Sequence, residues 1–173
     1  NQVKNEAELR ELLIDEVTEL SGAERVLLLL DTEAGPAQVA GALLPPGESE
    51  AELLRAITPW LAEARRNRVA TLRHGPAGAE AIDQRSCLIV PLMLQRELLG
   101  FMYADRGGLY GRLHDGDTQL LSMLAAQAAL ALANVRAAEG LERKVAERTA
   151  EARTAQGQAE QRAGELALIN SIQ

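Results

Sequence analysis

From Asp117 to Gln173 the chain contains no proline, and its glycines at 140, 157 and 164 are isolated. Apolar residues recur at three- and four-residue steps through Leu120, Leu121, Leu124, Ala128, Ala131, Val135 and Ala138. That spacing lines one face of an α-helix. A helix of about 50 residues reaches about 75 Å at 1.5 Å per residue. The rest of the chain is too short to cover such a rod, so the part beyond about Asn134 is expected to project. A lone helix in water is poorly stabilised, which makes pairing with a second copy the expected remedy. The seam continues weakly through Val145, Thr149, Ala152, Ala159, Ala163 and Leu166. Near Ala138, Leu141 and Val145 an extra three-residue step interrupts it, which alters coiled-coil winding locally. The expected dimer interface is therefore Leu124, Ala128, Ala131, Val135, Ala138 and Val145.

Upstream of this rod the periods change. Glu6–Leu20 places Leu9, Leu12, Leu13, Val17 and Leu20 on one helical face, and Ser21-Gly22 supplies a stop. Val26–Leu30 is an apolar run of strand length; Gly35-Pro36 has turn chemistry, and Gln38–Leu44 reads as the partner strand. A second helix starts at Ser49 or Glu50 with Leu53, Leu54, Ile57 and Leu61. Pro59 inside it predicts a kink or a restart capped by Thr58. A short strand within Asn67–Arg73 and a Gly/Pro/Ala loop over His74–Ala81 follow. Ser86–Leu94 and Leu98–Asp105 are nearly continuous in apolar residues, which predicts central strands covered on both faces.

Composition removes several function classes. Only Trp60, Phe101, Tyr103 and Tyr110 are aromatic, so a core must be aliphatic. A net charge of −7 argues against nucleic acid and against an anionic membrane surface. Cys87 is the single cysteine, and His74 and His114 are the only histidines; these exclude an intrachain disulfide and a Cys-based zinc site, and no metal is expected. The longest unbroken apolar runs fall short of the roughly 20 residues that span a bilayer, so no membrane partner is expected for this fragment and a cytoplasmic location is the simplest reading. The chain has no starting Met and stops in mid-pattern, as an excised piece of a longer protein would.

Three segments carry a resemblance. In order they are Ser86-Cys87-Leu88-Ile89-Val90-Pro91-Leu92, then Leu99-Gly100-Phe101-Met102-Tyr103-Ala104-Asp105, then Asp117 to Asn134 with its Leu120-Leu121, Leu124-Ala125 and Gln127-Ala128-Ala129. Together they resemble the C-terminal half of the GAF family, with coverage from about residue 8 to 137. Leu141–Glu151 is similar to linkers that join such domains to histidine-kinase or nucleotide-cyclase modules. The resemblance implies an α+β fold: an antiparallel sheet with the terminal helices on one face, a ligand cavity on the other, and a long C-terminal coiled-coil helix. It divides the chain into a GAF-like sensory domain over 1–137 and a signalling helix over 138–173. It further implies a parallel homodimer, an unidentified small-molecule ligand, and an output domain in the same polypeptide.

Near such a cavity the candidate ligand-binding residues are Arg73, His74, Arg85, Ser86, Tyr103 and Asp105. Arg65, Arg66 and Arg68 could join Arg73, His74 and Arg85 in a basic lip suited to phosphate or carboxylate; the alternative is that Arg65 and Arg66 complement a helix C-terminus and the others are solvated. Cys87 lies in a strand, away from the setting of covalent bilin attachment, so no covalent chromophore is expected and an inert core thiol is the simpler reading. His114 precedes a helix whose N-cap is Asp115 or Asp117. No nucleophile elbow, metal motif or acid–base pair is present, and a lone strand cysteine lacks the resolving thiol of the family's sulfoxide reductases. The expected role is a non-enzymatic sensor; the alternative is a ligand-free dimerisation spacer.

Overall fold

Asn5 begins the first helix: its side chain accepts the Glu8 N–H at 2.8 Å. The helix, α1 (Glu6–Ser21), ends at Gly22, whose φ of 65° is the left-handed conformation glycine adopts at least cost. The computed structural model describes residues 5–32, 35–75, 85–108 and 111–172. The elements that follow are β1 (Arg25–Thr32), β2 (Gly35–Leu43), α2 (Glu50–Asn67), β3 (Thr71–His74), β4 (Arg85–Leu94), β5 (Glu97–Gly107) and α3 (Asp115–Ile172). Most of the expected loop over 74–81, and Tyr110, lie outside the described residues.

Two local expectations change. Helix α2 runs unbroken through Pro59 with no restart. Pro59 lies on the exposed side, where water can take the carbonyl it leaves unpaired, and the Thr58 hydroxyl donates back to the Leu54 carbonyl at 2.6 Å. At the start of α3 the cap is His114, whose Nδ1 accepts the Gly116 N–H at 3.1 Å. Asp117 supplies the reciprocal half from the third helical position, accepting the His114 N–H at 2.8 Å.

The five strands form one antiparallel sheet in the order β2-β1-β5-β4-β3. β5 is central, as its unpatterned apolar sequence predicted. Alternation sorts the strand residues into two layers. Val26, Leu28, Leu30, Leu88, Val90, Leu92, Met102 and Ala104 pack with α1 and the first turns of α3. Leu27, Leu29, Cys87, Ile89, Phe101 and Tyr103 pack with Leu53, Ile57, Leu61 and Ala64 of α2. The terminal helices thus share one face and α2 covers the other, the α+β arrangement expected.

A bulge interrupts the pairing of β4 with β5. Leu92 pairs with Gly100 but Met93 pairs with Leu98, so Leu99 is an extra residue on β5. Beside it, a Cβ on Gly100 would sit 2.0 Å from the Leu29 carbonyl oxygen. Glycine is required there because the β1 backbone occupies the space of a side chain.

The chain divides into two compact units, Asn1–Val135 and Arg136–Gln173. Within the first, α3 buries Leu121, Leu124, Ala125, Ala128, Ala129, Leu132 and Val135 in the sheet-side core. This corrects the expected dimer interface: Leu124, Ala128 and Val135 are core residues of their own chain, and Ala131 packs partly against that core. The strongest apolar stripe on a helix marks whatever it packs on first, and here that is the sheet. Ala138 and Val145 are exposed. Within the second unit α3 is helical to Ile172, and residues 141–164 are all exposed. By length and composition alone α3 is apolar enough to cross a membrane, with a mean hydropathy of 1.4 over its most apolar window. Counting unbroken apolar runs missed this because Gln127 and Asn134 punctuate it; the buried leucines and alanines named above belong to the sheet-side core.

Candidate functional site

Beneath α2, at the end of the sheet where β1 and β4 begin and β5 ends, the apolar layer gives way to charge. Asp105 is fully buried there. In-register pairing sets it opposite both Arg25 and Cys87, and residue parity puts Tyr103 on the same face. Arg25 donates through Nε to Asp105 Oδ2 at 2.7 Å, with Nη2 at 2.5 Å from the same oxygen. The Tyr103 hydroxyl donates to that oxygen at 2.5 Å and lies 3.5 Å from Cys87 Sγ. Arg85 Nη1 stands further off, 3.4 Å from Asp105 Oδ1 and 3.7 Å from Glu24 Oε2. Glu48 reaches Arg25 Nη1 at 3.4 Å.

Protonation follows from this packing. Burial opposes the charge on Arg25, but the hydrogen bond and attraction of Asp105 outweigh it and raise its pKa above the ordinary arginine value. Burial first, and Asp105 second, push the Tyr103 phenol well above its usual range. Burial raises the Cys87 thiol as well, against a smaller lowering by Tyr103. Both stay protonated near neutrality, and a neutral buried thiol is a poor nucleophile.

A cavity of about 260 Å³ opens against this cluster. Leu53, Ala56, Ile57 and Trp60 of α2 form its apolar wall; Arg25, Arg85, Cys87 and Tyr103 form the strand side, with Gly75 at the rim. A larger concavity of about 460 Å³ lies between α1 and the outer strand β2. Among the described residues its charged lining, Arg10, Glu11 and Asp15, comes from α1 alone, and Arg10 is already paired to Glu6 at 2.7 Å.

The expected site residues divide. Arg85 and Tyr103 line the cavity and Asp105 lies directly beneath, so these three come together. Arg73 is on the same face at the edge strand, ion-paired to Glu63 and 5.6 Å from the Trp60 ring centroid. His74 is exposed at the end of β3, in register with Ser86. Ser86 points to the opposite face, where its buried hydroxyl accepts the Leu113 N–H at 3.1 Å; it does not line the cavity, because adjacent strand residues face opposite ways. The basic lip is dispersed. Arg65 makes a two-pronged ion pair with Asp31 at 2.7 and 2.8 Å over the Phe101 ring, and Arg68 donates to the Arg96 carbonyl.

Sequence reasoning missed Arg25, Trp60 and the wall-forming role of Cys87. Arg25 was findable as a charge heading an otherwise unbroken apolar run. Trp60 was findable as the lone large aromatic three residues after Ile57, on nearly the same helical face. Among the described residues no cluster of His, Cys, Asp and Glu is disposed to hold a metal.

Comparison with known proteins agrees with this architecture. The GAF domain family model matches residues 6–132. No curated protein sequence matches the chain. Among solved structures the chain is similar to the GAF domain/HD domain protein from Geobacter sulfurreducens, with a TM-score of 0.60 and 16% identity over 75% of this chain and 93% of that one. It is similar to the GAF-B domain of DevS from Mycobacterium smegmatis, with a TM-score of 0.59 and 16% identity over 78% and 98%. The PixJ GAF domain of Thermosynechococcus elongatus aligns with a TM-score of 0.52 and 18% identity over 82% and 90%. At these identities the likeness speaks for the fold.

Proposed function

The chain belongs to the GAF domain family, and from that premise we propose that it is the sensory module of a bacterial signal-transduction protein, binding a small molecule beneath α2 and relaying its state through α3. A regulatory signalling role belongs to the family. The observation that carries the finer reading is the cavity itself: an apolar wall of α2 faces two arginines and a buried tyrosine, on the sheet face that α1 and α3 leave open. The module performs no chemistry, since Cys87 and Tyr103 are held protonated and no acid–base pair lines the cavity among the described residues. It works in the cytoplasm. Its output domain is a histidine kinase or a nucleotide cyclase of the same polypeptide, a reading supported by the linker-like segment Leu141–Glu151.

Relay needs a partner, and a parallel homodimer supplies one. With Leu124, Ala128 and Val135 in the core, the seam moves to the outer side of α3. Leu120, Met123, Leu130, Leu141 and Val145 are all exposed, between 46% and 64%, and they follow a three-and-four spacing through Gln127, Asn134 and Ala138. A polar residue at such a seam position favours one register over others at some cost in stability. A ligand shifts this helix pair only by the difference in its affinity for two packings.

Cysteine cross-linking of Leu141→Cys in the purified chain tests both parts, because native Cys87 is buried. A parallel, in-register pair gives a rapid 141–141 disulfide whose yield changes as the cavity fills. A monomer removes the relay. A disulfide yield that ignores a saturating ligand removes the sensor and leaves a ligand-free dimerisation spacer. That second reading draws on one observation: Asp105 already has all its partners within the chain.

A further inference from the structure

Given a sensory cavity beneath α2, we propose that its ligand is a small carboxylate with a compact apolar body, the carboxylate held by Arg85 with Arg25 and the body lying against Leu53, Ile57 and Trp60. Three features of the cavity combine to select this class.

The first is the sign of the charge. Among the described residues, the charged groups lining the cavity are both guanidinium groups, Arg25 and Arg85. The carboxylates that pair with them stand outside that lining: Asp105, which has no exposed surface, and Glu24 and Glu48, at 3.7 Å from Arg85 and 3.4 Å from Arg25. The Tyr103 proton is directed at Asp105, and the Cys87 thiol is neutral. A molecule inside the cavity therefore faces two guanidinium groups and, among the described lining residues, no carboxylate.

The second is the unequal hold on the two arginines. Arg25 contacts Asp105 at 2.5 and 2.7 Å, lengths typical of charge-assisted hydrogen bonds. Arg85 has only contacts of 3.4 and 3.7 Å to carboxylates, and its side chain is 35% exposed. Burial and pairing fix Arg25 as part of the floor, whereas Arg85 can turn toward a better acceptor without breaking a short bond. Its planar fork matches a carboxylate with two parallel N–H donors.

The third is size and polarity. Among the described residues the remaining wall is Leu53, Ala56, Ile57, the Trp60 ring and Gly75, which suits a hydrocarbon surface better than a polyhydroxylated molecule. A volume of about 260 Å³ lies below the roughly 300–1,000 Å³ of pockets for drug-sized ligands. A single ring or a short branched chain is the matching scale.

Trp60 is the only tryptophan in the chain, so its fluorescence reports on the cavity wall. The experiment titrates the full chain with benzoate and with 3-methylbutanoate, each against its own primary amide, and with benzylamine and inorganic phosphate. Fluorescence and thermal midpoint are read together. Both carboxylates are expected to shift Trp60 emission saturably and raise the midpoint. The amides, benzylamine and phosphate should bind at least tenfold more weakly. Arg85→Gln should weaken the carboxylates at least tenfold while leaving the unliganded midpoint nearly unchanged, and Arg85→Lys should restore part of the loss. Amides binding as tightly as their acids, or Arg85→Gln binding like the parent, would overturn the carboxylate assignment and leave the sensor standing. Silence from both carboxylates would overturn it too. Carboxylate binding at Arg85 with no change in Leu141→Cys cross-linking would instead overturn the sensor and leave the ligand class intact.

Discussion

The two faces of the sheet are built from alternate residues of the same strands, yet one packs against two helices and the other against one. On the α1/α3 face, strand residues from Val26 to Ala104 meet two helices, and the layer is aliphatic throughout; its buried polar side chains, Ser21, Ser86 and Asp117, each serve a backbone group at a helix end or an entry to one. On the α2 face a single helix covers Phe101, Ile89 and the middle of β1, and the strand ends beyond it carry Arg25, Arg85, Tyr103 and Asp105. One helix does not span five strands. Among the described residues, the corner beyond that helix is where the charged side chains gather, and it is where the cavity lies. An aliphatic layer and a charged corner are thereby assigned to opposite sides of the same strands.

The sharpest way to break this division is at the bulge both faces share. Gly100→Val drives a side chain into the β1 backbone and should prevent folding, a loss above about 4 kcal/mol, seen as loss of soluble chain or of a cooperative urea transition. Next is the polar corner. Asp105→Ala takes the short bonds from the half-buried Arg25, leaving it Glu48 at 3.4 Å, and from the buried Tyr103 hydroxyl, and should cost about 3–5 kcal/mol. Replacing the pair together, as Arg25→Met with Asp105→Leu, should recover much of that, and a double variant no better than the single would show that the corner is not held by the pair.

A smaller contrast lies on α3. Leu124→Ala should cost about 2–5 kcal/mol as a core truncation. Leu130→Ala should change the stability of the single chain by no more than about 0.5 kcal/mol while weakening self-association in sedimentation. Equal effects on folding would erase the distinction between inner and outer stripes. The gentlest test is alkaline pH. Tyr103 and Cys87 have pKa values raised in the folded state, so the unfolded chain gives up these protons first. The stability they confer is full below the ordinary thiol range and drains as pH rises through it and beyond, from about pH 8 upward. The parent's thermal midpoint should fall there, less steeply in Cys87→Ser from about pH 8 and less steeply in Tyr103→Phe from about pH 10; slopes identical to the parent's would mean the corner is wetter than its geometry implies.

Most of the fold was legible because burial on both faces leaves a blunt mark. Ser86–Leu94 and Leu98–Asp105 are apolar almost without interruption, and nothing but central strands explains two such runs joined so tightly. The same bluntness hid the site. Where alternation is absent, parity cannot be read, so Arg85 and Ser86 looked equivalent when only the first faces the cavity. Arg25 was passed over because a charge at the head of an apolar run reads as a boundary; its function appears only once pairing sets it across from Asp105. On α3 the stripe through Leu124, Ala128 and Val135 was correctly seen as apolar and assigned to the wrong neighbour, since a helix pattern records that a face is buried but not by what. The Pro59 kink failed for a simpler reason, the proline being on the exposed side.

Arg85 and Ser86 are joined by one planar peptide unit, which resists twisting far more than any side chain does. One end carries the guanidinium beside the cavity. The other carries the hydroxyl that holds the Leu113 amide, one residue before His114 caps α3. One dipeptide of β4 thus touches both the cavity and the approach to α3, from opposite faces of the sheet.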